Sequence, residues 1–74
     1  MKNSIGKKID DLMKEIKEKL SLKEIEFEKQ FESDYYFRIK DSSNNIGRIR
    51  FNESTGYLQE KFNDNWRRIQ VLPK

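Results

Sequence analysis

The sequence predicts an α+β fold: one N-terminal amphipathic helix packed on a four- to five-stranded antiparallel β-meander. Three observations carry that prediction. Apolar residues first recur every three or four positions, the period then drops to two, and clusters of Asn, Asp, Ser and Gly interrupt the second region at short intervals.

Ile5, Ile9, Leu12, Met13, Ile16 and Leu20 form one apolar stripe, which predicts a helix over residues 4–20. Asn3 or Ser4 can cap its start by accepting an orphan backbone N–H. Asp10 with Lys14, and Glu15 with Lys19, are i,i+4 pairs contributing about 0.2–0.5 kcal/mol each, while Lys7 and Lys8 oppose the macrodipole. Such a helix is too short to persist alone and needs an apolar surface to pack on.

After Ser21, residues 24–31 alternate, with Ile25, Phe27 and Phe31 on one face. Tyr35, Phe37 and Ile39 repeat that face in a second strand, leaving Tyr36, Arg38 and Lys40 on the other. The polar run 41–45 is turn chemistry, and a third strand over 46–51 carries Ile49 and Phe51. Residues 52–56 make the next turn, where Gly56 can take positive φ without a Cβ penalty. Strands over 57–62 and 66–72 follow, joined by 63–65, and Pro73 ends the last because it has no ladder donor.

Paired residues must share a face, so register can be tested. A three-residue loop at 32–34 pairs Phe31 with Tyr35 and Phe27 with Ile39 on the core side, and Glu28 with Arg38 and Glu26 with Lys40 outside. A loop at 43–45 pairs Ile39 with Ile49 and Phe37 with Phe51, setting Arg38 opposite Arg50 and Lys40 opposite Arg48. The last two strands divide their apolar residues between Leu58, Phe62, Trp66 and Tyr57, Ile69, Val71, and a bulge at Gly56 decides between the sets.

At 74 residues the chain holds one core, so residues 1–74 are expected to form a single small domain. With 34% apolar and 39% charged residues it is close to the polar limit for folding, and its nine aromatic side chains separate it from a disordered tail. Absence of cysteine excludes disulfides and points to a cytoplasmic location. No apolar run has the length of a signal peptide or of a membrane span, so no membrane partner is expected. Richness in Lys, Asn, Ile and Glu suits an AT-rich genome, a phage or another mobile element.

Without His or Cys the chain lacks the usual general base, the usual nucleophile and the soft ligands of zinc and iron–sulfur sites. A non-enzymatic protein without cofactor or metal is expected. Glu28 beside Arg38, and Glu60 beside Arg68, are the remaining acid/base candidates, and cross-strand ion pairing accounts for both more simply. The runs 41–45 and 63–65 lack the ligand number of a calcium loop, and isolated Gly6, Gly47 and Gly56 make no phosphate-binding loop.

The net charge of +3 is small, so local arrangement decides any steering. Arg38, Lys40, Arg48 and Arg50 fall on the outer face of the second and third strands, with Tyr36 among them. Trp66 with Phe62 can join the face, Arg67, Arg68 and Lys61 add positive charge elsewhere on the sheet, and Glu26 and Glu28 can neutralise part of the cluster. Cations interleaved with aromatic planes suit phosphate contact and base stacking, so the expected partner is nucleic acid or another anionic surface, such as an acidic protein. The alternative is a protein-binding regulator or inhibitor using the same face or a free strand edge, an edge that also allows a homodimer.

Overall fold

The period changes at Ser21 because the helix is actively terminated there. Helix α1 spans Ser4–Leu20, and Ser21 takes a left-handed backbone with φ 54°. Its N–H donates to the Glu18 carbonyl at 3.4 Å, and the Leu22 N–H donates to the Lys17 carbonyl at 3.0 Å. This is the paired capping of a Schellman motif, and it buries Leu22 beneath the last turn. The computed structural model describes residues 4–69, with side chains from Lys8 onward. The expectations placed on Asn3, on the side chains of Ser4, Ile5 and Lys7, and on residues 70–73 lie outside that range.

Five strands follow in a meander: β1 (Glu24–Phe31), β2 (Asp34–Lys40), β3 (Ile46–Asn52), β4 (Leu58–Lys61) and β5 (Arg67–Ile69). They lie in the order β1-β2-β3-β4-β5, each antiparallel to its neighbour. With α1 packed on one face, the arrangement is the expected α+β fold. Ile16 of the helix meets Phe37, Ile39, Ile49 and Leu58 of the sheet, all five almost wholly buried. Each such side chain contributes about 1.5–3 kcal/mol relative to exposure. Ile9, Leu12, Met13, Leu20, Ile25, Phe27, Phe51 and Ile69 pack around them. Phe27 meets the edge of Phe37 at 5.8 Å between centroids.

The β1–β2 register differs from the expected one. The turn has two residues, Glu32 and Ser33, with Glu32 at φ 54°, and Phe31 pairs with Asp34. Glu28 is an extra residue between the Phe27–Phe37 and Lys29–Tyr36 pairs, a β-bulge. Up to Phe27 the faces are as expected. Beyond the bulge they invert, so Phe31 is 62% exposed instead of being in the core.

Between β2 and β3 the pairing slides by two residues, which leaves every face unchanged but changes the partners. Phe37 lies opposite Ile49, Arg38 opposite Arg48, and Tyr36 opposite Arg50. The cause is a five-residue loop where three were expected. Asp41 accepts hydrogen bonds from the Ser43 and Asn45 N–H groups, both at 2.9 Å, and Asn44 adopts φ 70°. After β3, Gly56 takes φ 79° and donates its N–H to the Asn52 carbonyl at 2.8 Å. That turn puts Leu58 and Ile69 on the helix side.

An ion pair ties the helix to one end of the sheet, and a close packing contact closes the other. Lys8 pairs with Glu53, which also accepts the Tyr35 hydroxyl at 3.0 Å. At the other end Gly47 is buried beneath Phe62. A Cβ on Gly47 would lie 2.6 Å from the Phe62 ring and 2.9 Å from the Lys61 carbonyl oxygen.

Two outcomes are expected. Gly47→Ala should destabilise the fold by about 1–3 kcal/mol, because the strand backbone must move as well as the ring; urea unfolding followed by circular dichroism measures it. The Asn45 backbone N–H, together with the Asn45 side chain and the Ser43 N–H, holds Asp41 below its usual value of 3.8. A depressed folded-state value stabilises above the unfolded value and is lost as pH falls through the folded one. Asp41→Asn should therefore lower the Tm at pH 7, and the difference from wild type should shrink in melts taken progressively below pH 4.

Candidate nucleic-acid interface

Strand alternation turns one face of the sheet away from α1, and successive cross-strand partners order its side chains into rows. One row crosses all five strands as Lys29, Tyr36, Arg50, Gln59 and Arg68. The next runs Glu26, Arg38, Arg48 and Lys61. Trp66, just before β5, ends this second row, its ring 5.3 Å from the Lys61 ammonium. Lys40 lies one step further along β2, between Glu24 and Ile46. The sheet thus brings Tyr36, Arg38, Lys40, Arg48, Arg50, Trp66 and Arg68 to one surface.

Tyr36 and Trp66 meet edge to face at 6.5 Å between centroids. Basic groups sit over the rings: Lys29 over Tyr36 at 5.0 Å, Arg50 over Trp66 at 4.6 Å, and Arg68 over Tyr57 at 4.2 Å. These contacts are cation–π attractions, worth about 0.5–1 kcal/mol at exposed positions. Arg50 also donates from Nε to the Gln59 side-chain oxygen at 2.9 Å.

Acidic groups neutralise only one side of this surface. Arg48 pairs with Glu28 at 2.9 Å and Lys40 with Glu24 at 3.7 Å, both carboxylates coming from β1. Among the described residues, no carboxylate approaches Arg38, Arg50, Lys61 or Arg68 within 4.0 Å. Positive charge therefore accumulates from β2 to β5, bordered by acid along the β1 edge.

Three sequence expectations are altered here. Glu28 contacts Arg48 rather than Arg38, because the bulge and the two-residue register slide bring those strands together differently. Glu60 pairs with Arg67 rather than Arg68, since Glu60 and Arg67 share the helix-side face. Phe62 lies on that same side over Gly47 and does not join Trp66. Lys29 and Gln59 are members of the surface that alternation alone does not reveal. Lys29 reaches it only because the bulge inverts β1, and Gln59 only because the Gly56 turn sets the parity of β4.

No group of three or more acidic side chains among the described residues is placed to hold a metal ion. No helix among them is long and apolar enough to cross a membrane. No family model matches the chain, and no curated protein or solved structure gives a significant match.

Arg38 faces Arg48 directly, a like-charge pair that weakens the sheet, and it is exposed. Arg38→Thr should leave stability within about 0.5 kcal/mol of wild type or raise it slightly. An unfolding free energy lowered by more than about 1 kcal/mol at unchanged denaturant slope would show that the cluster holds the fold together.

Proposed function

We propose that this protein is a non-enzymatic binding module for nucleic acid, acting through the outer face of its sheet. The observation that carries the proposal is the convergence of Arg38, Arg50, Lys61 and Arg68, without carboxylate partners among the described residues, around the Tyr36–Trp66 pair. Nothing in the packing of the core requires that concentration of charge. Phosphates supply the missing counter-charge, and neutralising each releases condensed counterions. Such a protein, with no cysteine to oxidise, belongs in the cytoplasm.

One observation favours a second reading, a protein-binding regulator or inhibitor. Among the described residues the β1 edge is free; it carries Glu24, Glu26 and Glu28, and ends at the exposed Phe31. An apolar residue with a mixed-charge rim resembles a protein contact more than a phosphate track.

Fluorescence anisotropy with labelled oligonucleotides at several salt concentrations separates the readings. The wild type should bind with a log–log salt slope of about −2 to −4, and a variant combining Arg38→Ala, Arg50→Ala and Lys61→Ala should lose about 0.7 of slope per lost contact. Circular dichroism establishes that the variant is folded. If the wild type fails to bind at low salt, the nucleic-acid reading is wrong and the β1 edge becomes the surface to investigate.

A further inference from the structure

We infer that Tyr36, Trp66 and Tyr57 form a base-stacking platform, so that the ligand is a single strand rather than a duplex. This rests on the nucleic-acid reading and deepens it. Each of the three rings lies beneath a basic side chain: Lys29 on Tyr36, Arg50 and Lys61 on Trp66, and Arg68 on Tyr57. Tyr57 is exposed and Tyr36 and Trp66 are half-buried, and a cation–π contact at such solvent-accessible rings is weaker than a charge-assisted hydrogen bond to phosphate. A phosphate therefore draws the cation off the ring, and the vacated π-face takes the adjoining base. One movement supplies both halves of single-strand recognition.

Geometry favours a single strand independently of charge. Tyr36 and Trp66 lie edge to face, so their planes differ by 64° and cannot enter one continuous duplex stack. Splayed bases of a single strand can meet each ring separately. A duplex hides its base faces and would contact only the cations, leaving the aromatic residues without a role. Five strands at about 4.8 Å spacing make a platform about 19 Å across. That suits a site at the short end of the roughly 4–16 nucleotides seen for single-strand binders of similar size.

Trp66 is the sole tryptophan, so its fluorescence reports directly on stacking. Titrating the wild type at low salt with dT8, and with a mixed-sequence 12-base-pair duplex, should give quenching of Trp66 emission by dT8 and little change with the duplex. Labelled dT8 should bind at least about tenfold more tightly than the duplex. Trp66→Leu and Tyr36→Leu should each weaken dT8 binding by about tenfold while changing the salt slope little, because stacking releases no counterions. If either variant is unfolded by circular dichroism, the wild-type quenching still decides the matter. Salt-dependent binding with equal affinity for duplex and no quenching would overturn stacking while leaving the basic face intact. Failure of every oligonucleotide to bind at low salt would overturn both.

Discussion

One helix can bury only one face of a sheet, and that asymmetry governs the molecule. A 17-residue helix at about 1.5 Å per residue is about 25 Å long and about 10 Å wide, while five strands spread across about 19 Å. Ile16 therefore lies over the middle of the sheet, on Phe37, Ile39, Ile49 and Leu58. Phe62 and Arg67, towards β5 on the same side, remain exposed. The opposite face has no second layer among the described residues. Its side chains are released from core packing and answer to solvent and to each other.

This division was legible in the sequence because strand parity survives errors of two. The β2–β3 loop is two residues longer than expected, yet Phe37 and Ile39 remain inside and Arg38 and Lys40 outside. What that error changed was the identity of neighbours: Arg38 faces Arg48, and Tyr36 takes its place opposite Arg50. The missing information lay in hydrogen bonds from Ser43 and Asn45 to the Asp41 carboxylate, which close a longer loop than composition distinguishes. An error of one residue is more damaging. The bulge at Glu28 exposes Phe31 and brings Lys29 to the outer face of the sheet, and alternating apolar residues in β1 give no sign of it. The faces of β4 and β5 depend on one left-handed residue, Gly56, whose position in the turn decides whether Leu58 or Tyr57 points inward.

The arrangement of charge on the outer face is the least economical feature of the structure. A row selected for stability alone would alternate in sign, as Glu26 and Arg38 do at the β1 end. Instead Arg38, Arg48 and Lys61 follow one another across β2, β3 and β4, although like charges directly opposite weaken a sheet. Compensation is local and incomplete. Glu28 reaches Arg48, Gln59 accepts from Arg50, and the Trp66 ring receives Arg50 and Lys61. An aromatic ring is a weaker partner for a guanidinium than a carboxylate, and a carboxylate at Gln59 would have been the simple stabilising choice. Gln59 keeps the position of Arg50 without neutralising it. Holding a cation in place while leaving its charge available is useful when the counter-charge arrives from outside, and this supports an anionic ligand over a merely solvated face.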